Sequence, residues 1–186
     1  LPSSEHPMDL GADVCCDSAH KTLPVLTGGA YLHLSDALPE YILQKAKSAL
    51  SFFGSTSPSY LTLASLDRAN LYLADGYREK LSGFCQKLRV LKQDLQTMGY
   101  TLSGDEELKI TIDAKAYGYT GFEIASHLEN DSIICEFADP DFVVLMPSLD
   151  IGEEGIQKIS DVFSKLDKKT PLPKRGFSLF PSKKLS

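Results

Sequence analysis

The sequence predicts an α/β chain: a lobe of strands and helices, followed by a smaller α+β layer. Two apolar, strand-like runs, 12–16 and 30–34, flank a small polar turn around Lys21. Leu81, Phe84, Cys85, Leu88, Leu91, Leu95 and Met98 then recur at helical spacing, one face of a long amphipathic helix. Downstream the patterns run strand, helix, strand, strand, helix, the order of a small layered domain.

Each element follows from local signals. Ala12-Asp13-Val14-Cys15-Cys16 is a short apolar run expected to be a buried strand, and Gly28-Gly29 leads into the alternating Ala30-Tyr31-Leu32-His33-Leu34. Residues 39–53 read as a helix, opened by Ser35-Asp36 and Pro39 and stopped by Gly54. The Thr56-Ser57-Pro58-Ser59 turn caps a second helix over 59–74, and Gly99 ends the long third one. Residues 108–113 alternate as a strand, 118–128 read as a helix, 133–137 and 142–146 as strands, and 153–166 as a last helix. The helix turns Ile156, Ile159, Val162, Phe163 and Leu166 inward. These patterns set the expected domains: a larger lobe over 1–75, a linking helix over 76–104, the small α+β domain over 105–167, and a Pro- and Lys-rich tail over 168–186, extended or disordered.

With 186 residues the chain can build a core. Its net charge is −6 and its lysines are scattered, which gives no footprint for nucleic acid or an anionic membrane. It has no apolar run of about 20 residues, the length that spans a bilayer, and no charged-then-apolar leader, so a cytoplasmic protein is expected. The four cysteines lack metal-ligand spacing. Cys15 and Cys16, adjacent in a strand, point to opposite faces, so buried free thiols are expected rather than a bridge.

Lys21 is the candidate for chemistry. A lysine becomes a nucleophile when its surroundings hold the amine ready, and Ser18 and His20 supply polar partners beside it. The set suits anchoring of pyridoxal phosphate, Ser18 donating to a phosphate oxygen and Lys21 holding the aldehyde carbon. The same string also occurs in solvated loops, and the residues alone leave both readings open. For the remaining histidines, His6 falls in a loose N-terminus, His33 is a packed or surface residue on its strand, and His127 a capping or solvated one. Glu136 and Asp139 at a strand exit either approach a basic substrate or are simply solvated.

The stretch from Gly11 to Ala30, GADVCCDSAHKTLPVLTGGA, closely resembles the lysine segment of the Orn/Lys/Arg decarboxylase family, fold type I (aspartate aminotransferase-like) pyridoxal phosphate enzymes. Ser55-Thr56-Ser57-Pro58-Ser59-Tyr60, with Ser65-Leu66-Asp67, resembles the segment that family sends to the neighbouring subunit's cofactor. Tyr117-Gly118-Tyr119-Thr120-Gly121 and Ile134-Cys135-Glu136-Phe137-Ala138-Asp139 are similar to its small C-terminal region. The resemblance implies the end portion of the fold type I large domain followed by the small α+β domain. It implies that Lys21 forms the Schiff base with pyridoxal 5'-phosphate and moves protons at the substrate carbon, that Ser18 binds the phosphate, and that His20 lies beside the phosphate or the scissile group. It further implies that Thr56 and Ser57 touch the phosphate held by a partner subunit, in a homodimer or larger homo-oligomer with shared sites.

The departures are equally specific. In the family the aspartate for the pyridine nitrogen, the ring-stacking group and the first phosphate loop precede the lysine. Of the residues before Lys21, only Asp9, Asp13 and Asp17 are aspartates, and none stands in an Asp-x-Ala-His string. The chain starts with Leu1, and Lys174-Arg175-Gly176-Phe177-Ser178-Leu179 resembles the point where the family runs on into a further domain, so a piece of a longer protein is expected. From Val90 to Lys174 there is no arginine. Transaminases of this fold clamp the substrate carboxylate with one, whereas a decarboxylase must release that carboxylate as CO₂. The expected activity is therefore decarboxylation of a basic amino acid (arginine, lysine or ornithine) toward polyamine synthesis. The alternatives are an aminotransferase, a cysteine desulfurase-like lyase, or a catalytically incomplete fragment with a structural role.

Overall fold

The computed structural model describes residues 6–173, and the chain divides into two compact units, Leu1–Ser82 and Gly83–Ser186.

In the first unit, β1 (Val14–Asp17) pairs antiparallel with β2 (Tyr31–Leu34), Cys15 facing His33 and Asp17 facing Tyr31. A 3₁₀ turn, Ala19–Lys21, lies between the strands. Helix α1 (Glu40–Phe53) opens behind Pro39, whose fixed φ and missing N–H suit a helix start, and it closes at Gly54, whose N–H returns to Leu50 O. Helix α2 (Tyr60–Ala74) is capped by Ser59, whose side chain accepts from the Thr62 N–H. The predicted turn and stop residues thus act as expected.

Burial in this unit does not follow expectation. Among its described hydrophobic residues only Ala19 and Ala69 are fully buried. Strand β1, expected to be buried, alternates between exposed and half-buried positions, and Cys16, expected to be a buried thiol, is exposed. The reason is local: a two-stranded ribbon leaves both outer edges open. Its Val14, Leu32 and Leu34 face, together with Tyr41, Ile42 and Leu50 of α1, lines an open apolar cavity of about 590 Å³.

Helix α3 (Tyr77–Thr97) begins in the first unit and continues into the second. Its buried stripe there is Phe84, Cys85, Leu88, Leu91 and Leu95, the predicted face, and Gly99, at φ +97°, turns the chain out of it. A four-stranded antiparallel sheet follows in the order β3-β4-β6-β5: β3 (Thr101–Ser103), β4 (Ile110–Asp113), β5 (Phe137–Ala138) and β6 (Phe142–Leu145). Ile112 lies opposite Val143, both fully buried. These residues form one core with the α3 stripe and with Ile159, Val162 and Phe163 of α6 (Gly152–Ser164).

Three details differ from expectation. The helix predicted over 118–128 starts later, as α5 (Gly121–Asn130), and a short helix that the pattern does not predict, α4 (Ala114–Tyr117), precedes it. Gly118 takes the left-handed conformation that ends α4, and Thr120 caps α5 in a reciprocal capping box with Glu123. Strand β3 has no counterpart in the sequence pattern, three residues being too few to show a period. Of the strand predicted over 133–137 only Phe137 is paired, because Glu136 N–H to Val144 O is where the ladder to β6 begins.

Of the predicted tail, residues 168–173 carry no regular structure, yet Lys169 N–H bonds Tyr117 O and Leu172 N–H bonds Lys115 O. The rest of the predicted tail, 174–186, lies outside the described residues. Among the described residues no helix is long and apolar enough to cross a membrane.

Candidate functional site

The loop between β1 and β2 positions the predicted residues. Lys21 N–H bonds Ser18 O, Thr22 N–H and Leu23 N–H bond Ala19 O, and the side chain of Ala19 is buried beneath the turn. Ser18, His20 and Lys21 are therefore presented by one tight turn anchored on an alanine. Ser18 and Lys21 are exposed and His20 is half-buried.

His20 ties this turn to the far side of the loop. Its backbone N–H lies 3.4 Å and its Nδ1 3.2 Å from Gly29 O. A carbonyl oxygen only accepts, so Nδ1 carries the proton and the neutral ring is left with its basic lone pair on Nε2. Gly29 is itself buried, and a Cβ there would stand 2.3 Å from Val25 Cγ1. Leu26 N–H donates to Ser65 Oγ at 3.1 Å, and Ser65 donates on to Thr62 O. Tyr31 OH reaches Leu66 O and Asn70 Oδ1. Helix α2 thus holds the loop and the following strand from one side.

Gly29 and Ser65 are positioning residues, a role that the sequence reading does not give them. The Gly28-Gly29 pair marks a turn, but nothing in the pattern says which carbonyl a histidine nine positions earlier will find. Thr56 and Ser57 stand exposed in the turn before α2, and among the described residues no hydrogen bond joins them to Ser18, His20 or Lys21.

A second cluster lies where β1 and β2 pair. Asp17 Oδ2 is 2.7 Å from His6 Nε2 and 3.0 Å from His33 Nε2, while the Cys15 thiol donates to Asp17 Oδ1 at 3.2 Å. Acceptance from His6, then from Cys15, holds the Asp17 carboxyl below its ordinary value, and the same bond to Asp17 pushes the Cys15 thiol up. His6, expected in a loose terminus, is drawn in by this carboxylate. Asp13, expected within the strand, precedes it, its carbonyl accepting from Ser35 N–H.

In the second unit, Glu136 is exposed, and Asp139 Oδ1 accepts the backbone N–H groups of Asp141 and Phe142. Asp139 is thereby a turn former. His127 is exposed, its ring edge-on to Tyr119.

Comparison with known proteins assigns the chain. Residues 3–114 match the family described as Orn/Lys/Arg decarboxylase, major domain. The chain belongs to the Orn/Lys/Arg decarboxylase family. It is 34% identical over 171 residues to the uncharacterized protein YaaO of Bacillus subtilis, covering 85% of this chain and 35% of that protein. The arginine decarboxylases of Halalkalibacterium halodurans and Bacillus subtilis are 30% and 31% identical, each over 71% of this chain and 29% of their own length. This family member thus spans about a third of the curated relatives it matches. Its fold resembles those of the Francisella novicida lysine decarboxylase LdcF (TM-score 0.66, 18% identity, 82% of this chain and 27% of that one) and the E. coli constitutive lysine decarboxylase (TM-score 0.63, 17% identity, 80% and 27%). The fold is that of part of a fold type I pyridoxal phosphate enzyme, as the resemblance implied.

The lysine turn fits such a cofactor. The Ser18 side chain makes no capping bond to the turn it precedes, Lys21 makes no ion pair among the described residues, and the His20 lone pair is on Nε2. A hydroxyl, an ammonium and an imidazole on one exposed turn are the donor set for an anionic aldehyde.

Proposed function

We propose that the protein carrying this chain is a pyridoxal phosphate-dependent decarboxylase of a basic amino acid, arginine, lysine or ornithine, whose amine product feeds polyamine synthesis. The observation that carries the reading is the fixed turn Ser18–Lys21 in a member of this family, with no arginine between Val90 and Lys174 to clamp a substrate carboxylate.

Lys21, on an exposed turn pinned by the buried Ala19, would hold the cofactor through its Nζ. Ser18 donates its hydroxyl to a phosphate oxygen. Bound pyridoxal phosphate supplies the electron sink that accepts the electron pair left on the substrate carbon as CO₂ departs. A proton must then return to that carbon, and Lys21 Nζ delivers it, or His20 Nε2 once its lone pair has taken a proton from solvent, the ring being oriented by its Nδ1–H to Gly29 O. Thr56 and Ser57 serve the phosphate of a partner subunit in a homodimer. A cytoplasmic setting, where free amino acid substrate is at hand, belongs to the same reading.

One observation favours a second reading for this chain taken alone. With only Ala19 and Ala69 fully buried among the described hydrophobic residues of its first unit, the isolated chain is a scaffold that needs more polypeptide before it holds cofactor. Titration with pyridoxal phosphate followed by near-visible absorbance, borohydride trapping and peptide mapping separates the two. Trapping at Lys21, lost in Lys21→Ala, supports a working anchor, and scattered labelling supports the scaffold. Failure of the intact protein to release CO₂ from arginine, lysine and ornithine would sink the decarboxylase reading.

A further inference from the structure

We propose that His6, Asp17 and His33 form a binding site for a divalent transition-metal ion of the zinc and nickel kind, separate from the lysine turn. Asp17 and His33 are brought to one face by strand register: Cys15 lies opposite His33, and Asp17, two residues on, shares the face of Cys15. His6 reaches the same carboxylate from the N-terminal segment, its ring edge-on to His33 at 5.3 Å between centroids. One ligand atom from each of the three lies within 4.8 Å of the others. All three side chains are between a third and a half exposed, which leaves an open path and room for water in the remaining coordination positions.

Ligand atoms about 2.0–2.1 Å from a tetrahedral ion stand roughly 3.3 Å apart. The existing 2.7 and 3.0 Å separations therefore need to widen by about 0.6 and about 0.3 Å. Two imidazoles and a carboxylate are borderline ligands, suited to nickel or zinc rather than to calcium or magnesium. Cys15 donates to the other carboxylate oxygen and fixes its orientation, as an outer-shell partner does. In the metal-free state His6 Nδ1 accepts Met8 N–H at 3.3 Å, which puts the ring proton on Nε2. Ligation through Nε2 moves that proton to Nδ1 through solvent and gives up this long bond, while the ion sheds a water for each side chain it gains, so neutral imidazoles release no net proton.

The test is calorimetric titration of Ni²⁺ into the full chain, with His33→Ala, Asp17→Asn and, outside the cluster, His127→Ala. One saturable site is expected. His33→Ala and Asp17→Asn should each weaken it at least about tenfold, the lower bound for losing even an outer-shell partner, and His127→Ala should leave it unchanged. Asp17→Asn keeps the size and most hydrogen bonding of the side chain, so it reports ligation even where His33→Ala disturbs the ribbon. Absence of a saturable site, or a site that survives both cluster variants, overturns the proposal.

Discussion

His20 and Gly29 close the loop that carries Lys21: the imidazole Nδ1 and the backbone N–H of His20 both point at Gly29 O, 3.2 and 3.4 Å away. One carbonyl therefore sets both the turn and the tautomer of the ring beside the lysine. The position of the oxygen depends in turn on Gly29 having no side chain, since a Cβ would drive into Val25.

Gly29→Ala should accordingly shift Val25 or the loop and cost about 1–3 kcal/mol, the range for overpacking a filled site. Gly28→Ala, where a Cβ meets nothing but φ is +93°, should act through backbone strain alone. In the intact protein, borohydride trapping at Lys21 should fall in Gly29→Ala by more than the loss of folded protein accounts for.

Truncation should separate the two units. Leu88→Ala, in the packed core of the second unit, should cost about 2–5 kcal/mol in urea unfolding. Leu50→Ala, half-exposed on α1, should lie within about 0.5 kcal/mol of the parent. A large loss from Leu50→Ala in the isolated chain would mean that the first unit buries its apolar groove.

Three tyrosines secure the end of α6: Tyr100 OH donates to Phe163 O, Tyr117 OH to Leu166 O and Tyr119 OH to Asp167 O. Burial pushes the Tyr100 hydroxyl well up, so it remains a donor at every working pH. Tyr100→Phe keeps the stack on Tyr117 and removes one buried bond, a loss of about 1 kcal/mol by chemical denaturation.

Lys115 Nζ lies 2.5 Å from Asp141 Oδ1, and the lysine is buried. Lys115→Met should cost about 1–3 kcal/mol, because the partly buried Asp141 carboxylate loses its charged partner. Replacing both partners with apolar residues should recover much of that, and a thermal melt of the pair tests it.

Acid should unfold the second unit through specific carboxylates. Glu107 is held below its ordinary 4.5 by Arg89, Glu123 by the Thr120 N–H and hydroxyl, and Glu153 by Lys87. A carboxyl whose folded value is depressed stabilises the fold above its unfolded value and loses that contribution as pH falls through the folded one. Stability should be level above about pH 5 and fall below 4.5. Glu123→Gln should flatten part of that limb, and Thr120→Ala should cost about 1 kcal/mol at neutral pH through the lost cap.

Much of the candidate site is legible in the amino-acid sequence alone. Lys21, Ser18 and His20 stand together because neighbouring residues in one turn cannot be far apart. The α3 stripe and the α6 face are legible because helical spacing leaves one buried stripe. Asp17 with His6 and His33 is not: the pairing needs a β-ribbon register and a chain segment that folds back, and periodicity encodes neither.

What the sequence determined by itself is local: which runs are helices and strands, where Gly54, Gly99, Ser59 and Pro39 stop or start them, and which lysine sits in a turn between strands. Those are set by steric and hydrogen-bonding preferences within a few residues. Contacts from far along the chain settle that Gly118 closes a short helix ahead of α5 instead of opening one, that Gly29 O captures His20, and that β1 lies open rather than buried. Each depends on what packs against a segment from far along the chain. The first unit, whose strands have so little laid over them, is where local pattern and actual burial part.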